Sequence, residues 1–328
     1  MGTDRELGVD GRAGGGMSAS PRAVFGMPAY GRADTLAKVL ESLLSQTCPD
    51  FAIVIVDDKP SADVKAIVDT YAALNPRITY EANPVRLGMV GNWRKAFERA
   101  RALYPQSEFF AWVSDHDVWH PRWLEVLTGA LDDRPQAVMA YPQMQRVFPN
   151  ERRAVTRLFD TTGLPGPAAR LRAATSDMTA GNCIYALFRM SELERVGVFR
   201  AVLMPDRQVL LALCLLGEFR HVPQVLWYRE VAGVFSFSRQ RRMFFPAHIP
   251  LHTYLPANVQ HCGLLLWDFA IRGRGRPAFG RLAGLRYAVL QIAYSVRREL
   301  IRHDAGWRVA LNRLRVGRRG QLAASEAQ

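Results

Sequence analysis

The chain has 328 residues, almost half of them apolar, and a formal charge of +13. That length suits one large α/β domain with an appendage, or two modest domains, and seven Trp and sixteen Phe are ample for a substantial core. No apolar run approaches the roughly 20 residues that a bilayer span needs, and the Gly-rich, acid-bearing first twenty residues exclude a secretory signal.

Residues 1–20 read as a disordered leader, with Met17 as an alternative start. Cys48, Cys183, Cys214 and Cys262 are scattered singly, with neither metal-ligand spacing nor a disulfide framework, which implies a reducing compartment and buried thiols. The charge is local. Residues 271–320 carry thirteen Arg against Glu299 and Asp304, an excess of +11, so the remainder is nearly neutral. A basic C-terminal section on a balanced domain reads as a surface turned towards lipid head groups or an acidic acceptor. It reads equally as arginines on the wet faces of helices. Nucleic acid is not the expected partner.

In chain order, Ala23 to Pro28 forms a first strand, and Asp34 is expected to cap a helix with Leu36, Val39, Leu40, Leu43 and Leu44 on one face. Phe51 to Val56 is an uninterrupted apolar run of the kind buried on both faces of a parallel sheet, ending at Asp57-Asp58. Helices are expected over Asp63 to Leu74 and Met89 to Leu103, with a strand at Ile78 to Tyr80. Phe109 to Val113 is another short strand, then comes Ser114-Asp115-His116-Asp117, a helix from Arg122 to Leu131 opened by Pro121, and a strand from Ala137 to Tyr141. This alternation predicts a mostly parallel sheet with helices on both faces.

Past Pro142 the rhythm changes. Glu151 to Asp177 shows no periodicity and reads as a mobile segment over the site. A strand is expected at Ile184 to Phe188, a helix at Asp206 to Leu216, and a strand at Phe219 to Arg229 broken by a bend at Pro223. From His252 onward only helical periodicity remains, in segments Trp267 to Ile271, Leu282 to Ile301 and Trp307 to Leu314.

Asp115 and Asp117 stand at a strand's carboxyl end, where open α/β sheets place ligands. Two carboxylates one residue apart suit a hard cation, Mn²⁺ or Mg²⁺, held against phosphate oxygens. Such a pair also reads as a turn plus the N-cap of the following helix. Two further polar clusters, Pro28-Ala29-Tyr30 and Asp57-Asp58, fall at other strand ends.

From about Ala23 to Arg229, the order and spacing of these segments resemble the family 2 glycosyltransferases with the GT-A fold. M-P-A-Y-G-R followed by L-x-x-x-L-x-S-L-L-x-Q-T looks like that family's first strand and helix, I-V-I-V-D-D-K-P-S-A-D its V-D-D-G-S-x-D, and N-P-V-R-L-G-M-V-G-N-W its N-x-G-x-x-x-N segment. W-V-S-D-H-D-V-W-H-P matches its D-x-D with downstream Trp and Pro. N-C-I-Y-A-L-F-R, then Asp206, then G-E-F-R-H-V-P-Q-V-L-W-Y-R resemble its second half.

The resemblance implies an inverting, metal-dependent transfer of a sugar from a nucleoside-diphosphate donor to a hydroxyl of a glycan or lipid-linked saccharide. Tyr30, beside Pro28, and Asp57 or Asp58 would receive the nucleobase. Arg86, Gly88 and Asn92 would lie near the base or diphosphate. Asp115 and Asp117 would hold Mn²⁺ or Mg²⁺, with Asp117 the expected direct ligand, and Asp206 would be the general base. The sequence departs from the family pattern at Pro205-Asp206, where Glu-Asp is usual, at Lys59-Pro60, where Gly-Ser is usual, and at His116, expected to be a spacer facing away from the metal. His221 reads as a structural histidine or a distant metal ligand.

The implied organisation is a donor half over 21–142, an acceptor half over 143–232 and a basic helical extension over 233–328. The expected location is cytoplasmic, with peripheral contact on an anionic inner membrane face. The alternative from a different class is a GT-A module that binds nucleotide or glycan without turnover. A nucleotidyltransferase lacks its early G-x-G-T-R loop here, and a nicotinamide enzyme its G-x-G-x-x-G.

Overall fold

The computed structural model describes residues 20–148, 151–154, 158–230 and 236–301. The leader, apart from its last residue, and the helix expected at Trp307 to Leu314 lie outside them.

The first half alternates strands and helices: β1 (Ala23–Ala29), α1 (Ala33–Leu44), β2 (Phe51–Asp57), α2 (Ala62–Leu74), β3 (Ile78–Ala82), α3 (Gly88–Leu103) and β4 (Phe109–Trp112). Every residue of β1 and β2 is buried, which is why both are almost wholly apolar. β1 pairs in parallel with β2 and β4, and β2 with β3, so the carboxyl ends of four strands open on one side. Ser61 caps α2 by accepting the Val64 amide. Asp34 does not cap α1. Arg32 occupies the cap position, and the exposed Asp34 carboxylate pairs with the Arg32 guanidinium at 3.0 Å.

The second half runs β5 (Val118–Trp119), α4 (Trp123–Asp132), β6 (Ala137–Phe148), β7 (Glu151–Ala154), α5 (Gly166–Asp177), α6 (Ala180–Cys183), β8 (Leu187–Arg189), α7 (Met190–Val196), α8 (Pro205–Leu216) and β9 (Glu218–Glu230). Among the described residues one sheet contains all nine strands, in the order β3-β2-β1-β4-β8-β6-β9-β5, with β7 paired antiparallel to the far end of β6. β8 is antiparallel to β4 and β6, while β6 and β9 run parallel.

Three expectations past Pro142 are corrected. β6 does not stop at Tyr141; it continues through Pro142 to Phe148, because a register irregularity there tolerates a residue with no N–H to give. Pro223 does not break β9. The pairing jumps from Pro142↔Val222 to Gln143↔Val225, so Pro223 and Gln224 form a bulge inside one long strand. The strand expected at Ile184 starts only at Leu187, since α6 and a turn occupy the residues before it.

Within Glu151 to Asp177, expected to be an aperiodic mobile segment, lie a hairpin strand and the twelve-residue α5. α5 buries Arg170, Leu171, Ala174 and Thr175, a face too polar to give an apolar period. Its partner is α8, and the two helices cap each other. Arg170 donates to Cys214 O at 2.7 Å and Leu215 O at 3.0 Å at the end of α8. Arg207, at the start of α8, donates to Thr175 O at 2.6 Å and to Met178 O at 3.3 Å at the end of α5. Carbonyls left over at each helix end thus receive a buried guanidinium.

The core centres on Trp112, whose ring meets Phe110 and Phe199 at 5.0 Å, Phe188 at 5.6 Å and Trp93 at 5.8 Å. Each such pair contributes about 0.5–1.5 kcal/mol beyond burial. The C-terminal part adds α9 (Phe237–Phe244), α10 (Ala257–Leu266), a wide turn at Trp267–Ile271, the short α11 (Arg276–Phe279) and α12 over 281–301. Among the described residues no helix is long and apolar enough to cross a membrane.

Candidate active site

The strand ends of the parallel half surround a cavity of about 390 Å³, with Pro28, Tyr30, Asp58, Arg86, Gly88 and Asp115 in its wall. Six of the expected site residues therefore meet in one place. Tyr30 is 44% exposed, and the Arg86 guanidinium lies 5.0 Å from its ring centre, with the Lys59 ammonium at 5.8 Å.

Asp57 and Asp58 separate into different tasks. Asp57 faces away from the cavity, accepting the Lys59 amide at 2.9 Å and the Tyr80 hydroxyl at 3.0 Å. Asp58 faces α3, accepting the amides of Leu87 at 2.6 Å and Gly88 at 2.8 Å and the Asn83 amide group at 2.9 Å. It supplies the negative charge that a helix N-terminus favours; these bonds use three of its roughly four lone-pair sites, and the residue stands in the cavity wall. Asn92 stands behind the wall. Its amide donates to Ala29 O and Val56 O, both at 3.1 Å, and its oxygen accepts from Asn83 at 3.0 Å, clamping β1 to β2.

Gly88 has φ +75°, and a Cβ there would sit 2.4 Å from Phe244 O and from the Pro246 ring. Only glycine allows that approach. It lets α9 lie across α3 and bring Arg239 and Met243, four residues apart and so on one helical face, into the cavity wall.

The Asp115 loop is held from both sides. Asp115 accepts the Tyr30 amide at 2.8 Å, its own carbonyl accepts the Thr35 hydroxyl at 2.7 Å, and the Ser114 hydroxyl accepts the Asp117 amide at 3.1 Å. α4 begins only at Trp123, so neither aspartate is its N-cap. Asp117 is 1% exposed and turns towards β9, accepting the Trp227 indole N–H at 3.1 Å and the Glu230 amide at 3.0 Å. Burial pushes its carboxyl above the usual range, only partly offset by His116, the Ser114 hydroxyl, the Glu230 amide and Arg229. His116 is not turned away from the carboxylates, as its role of spacer required. Its Nδ1 lies 2.9 Å from Asp115 and its Nε2 4.0 Å from Asp117. Burial alone would depress its imidazolium, but the two carboxylates outweigh that and hold its pKa above the ordinary value. Among the described residues no group of three or more His, Cys, Asp or Glu is placed to hold a metal by itself.

Asp206 lies elsewhere. It lines a second cavity of about 580 Å³, with Gly181, Arg207 and, from α12, Arg298 and Ile301. Burial pushes its carboxyl above the usual range. A stack of side chains links the two cavities. Tyr185, in the wall of the first, meets Trp227 at 4.7 Å; Arg229 lies over both rings and donates to Gly181 O, in the wall of the second, at 2.9 Å. Burial raises the Tyr185 phenol, and Asp117, Asp115 and Asp206 add to the shift, so the hydroxyl lies within the field of all three. His221 is buried against the Tyr141 ring at 5.0 Å, a structural place.

Tyr185, Arg239, Met243 and Arg229 escaped the sequence reading as site residues. Tyr185 sits inside a quoted motif as an apparent core aromatic, and the only signal for Arg239 and Met243 was their spacing of four on an arginine-rich helix.

The curated relatives match in part. Protein CgeD of Bacillus subtilis (strain 168) is 27% identical over 128 residues, covering 38% of this chain and 30% of that protein. Uncharacterized protein MT1568 of Mycobacterium tuberculosis is 33% identical over 123 residues, covering 38% and 36%. The matched stretch thus spans about a third of each relative's length. Among solved structures, S. aureus TarS 1-349 in complex with UDP superposes with a TM-score of 0.52 at 15% identity, over 86% of this chain and 92% of that one. That likeness shows the fold, which is GT-A. The family model described as Glycosyl transferase family 2 matches residues 25–197, just over half of the chain, and the protein belongs to that family.

Proposed function

We propose that the protein is an inverting, metal-dependent glycosyltransferase that moves a sugar from a nucleoside-diphosphate donor to a hydroxyl of a glycan or lipid-linked saccharide. One observation carries the reading: Tyr30 with its Arg86 neighbour, Asp58 and Asp115 converge on a single cavity at the carboxyl ends of the parallel strands. A solved structure to which the chain is similar, S. aureus TarS 1-349, is described as a complex with UDP, in keeping with a nucleotide donor.

The Tyr30 ring offers a face to the nucleobase, and the remaining lone pair of Asp58 an acceptor for an imide or amino hydrogen. Arg86 and Arg239 offer forked cations to the diphosphate. Asp115 and Asp117 would hold Mn²⁺ or Mg²⁺. Two carboxylates suffice for such a cation when a diphosphate supplies further oxygens; Asp115 stands in the cavity wall, and the buried Asp117 would reach the ion by giving up its bond to Trp227 or Glu230. Bound there, the cation would neutralise charge developing on the departing diphosphate.

Asp206 would take the proton from the acceptor hydroxyl as it attacks the anomeric carbon on the face opposite the diphosphate. A carboxyl held above the usual range is a stronger base once ionised, which suits that task. The acceptor would enter through the cavity that Asp206 shares with α12.

Calorimetric titration of UDP, GDP and TDP, each with Mn²⁺ and with chelator, tests the donor side on wild type and on folded Asp117→Asn. Metal-dependent binding of one diphosphate, weakened in the variant, is the expected result. Failure of all three to bind folded wild type would overturn the reading. The anomeric configuration of the product, read by NMR, checks inversion.

A further inference from the structure

α12 has two working faces. The inner one packs: a Cβ on Gly284 would sit 2.0 Å from Phe269 O, Ala288, Gln291 and Ser295 are buried, and Gln291 accepts the Thr175 hydroxyl of α5 at 2.8 Å. The outer face is apolar and uncovered. Leu282, Leu285, Val289, Ile292, Val296 and Leu300 follow one another at spacings of three and four, from 85% exposed at Leu282 to 46% at Leu285.

With α10 this face lines an apolar groove of about 900 Å³ whose one acid is Glu299. Among the described residues, thirteen of nineteen exposed large apolar side chains lie in 251–301, including Tyr254 and Trp267. An apolar surface so concentrated marks an interaction site.

We propose that the outer face of α12 and the groove beside α10 dock onto an anionic lipid bilayer, lying in its head-group boundary. Charge selects this occupant. Exposed Arg272, Arg274, Arg281, Arg286 and Arg297 surround the apolar residues, and arginine beside exposed Trp and aliphatic side chains is the composition of an interfacial helix. A second copy paired in parallel meets repulsion. Two α12 helices paired in parallel through the seam would set Arg281 of one against Arg286 of the other, the positions that flank a coiled-coil seam. The chain's own residues 302–320 carry six Arg against Asp304, so laying them on the seam would add like charge to like.

Docking would also orient the molecule. Arg298 and Ile301, in the last described turns of α12, line the cavity that holds Asp206. On the reading above this is the acceptor side, and it would face a membrane-resident acceptor.

Co-sedimentation of the full chain with vesicles of phosphatidylglycerol and phosphatidylcholine, against phosphatidylcholine alone, tests the proposal. Wild type, Ile292→Asp and the control Leu74→Asp, on an exposed site of α2, are compared, with thermal melts to confirm folding. The expected result is binding to the anionic vesicles, weakened at least about tenfold by Ile292→Asp and unchanged in Leu74→Asp. Equal binding of wild type and Ile292→Asp overturns the proposal. So does a lipid-free dimer, seen by light scattering, that Ile292→Asp dissolves, which would assign the face to a second copy. A monomer indifferent to both vesicles overturns it as well. Nucleotide titration of the same samples separates any of these failures from failure of the donor reading.

Discussion

The parallel half of the sheet and the C-terminal helices treat their side chains in opposite ways. Around the 390 Å³ cavity the buried polar groups are bound to backbone: Asp58 to the start of α3, Asn92 to β1 and β2, and Asp115 to Tyr30. Along α12 it is the apolar groups that lack partners, with Leu282 and Ile292 in the open. The first region holds its polar groups in fixed positions around a cavity. The second leaves a row of apolar side chains uncovered among the described residues.

Between the two stands Asp206, and removing its charge should have the largest effect. Asp206→Asn should lower kcat by about 10²–10⁴-fold with nucleoside-diphosphate binding unchanged. Its carboxyl must lose a proton to act, and burial raises its pKa. The wild-type kcat should therefore fall as pH drops through a value above the ordinary aspartate range, and this acid limb should vanish from the variant's residual rate.

Core truncation in the parallel half comes next. Leu40→Ala, in a fully buried position of α1, should cost about 2–5 kcal/mol in urea unfolding. Asn92→Leu would remove one donor from Ala29 O, which keeps the Asp58 amide, and one from Val56 O and should cost roughly 1–3 kcal/mol. Ser61→Ala removes one cap bond from α2, for about 1 kcal/mol. Leu282→Ala should change the stability of the free protein by less than about 0.5 kcal/mol. A cost near that of Leu40→Ala would mean that the outer face of α12 is already covered in solution, and the contrast between the two regions would fail.

What the sequence disclosed follows the same division. β1, β2 and α1 to α3 were legible because each buries a single apolar face or an unbroken apolar run. The residues gathered at their ends, Tyr30, Asp58, Arg86 and Asp115, were legible by motif. α5 was not, because what it buries is Arg170 and Thr175, whose partners lie on α8 and α12. β6 beyond Tyr141 was hidden by Pro142, which reads as a stop unless the register irregularity opposite it is known. The roles of Asp57 and Asp58 could not be told apart, since which carboxylate turns to the cavity depends on the course of the chain between β3 and α3. The direction of Asp117 was equally out of reach: it is set by Trp227 and Glu230, more than a hundred positions away.

The mutual capping of α5 and α8 has a consequence for how the molecule opens. Neither helix can fray at its C-terminal end without stripping carbonyls from a guanidinium anchored in the other. In hydrogen-exchange terms the pair is one cooperative unit. Amides in the last turns of both helices should exchange with a common opening free energy, and Arg170→Met, placed at the far end of the pair, should speed exchange in the helix that carries Asp206. The candidate base would then owe its position less to the residues beside it than to the resistance of two helices to unfolding separately.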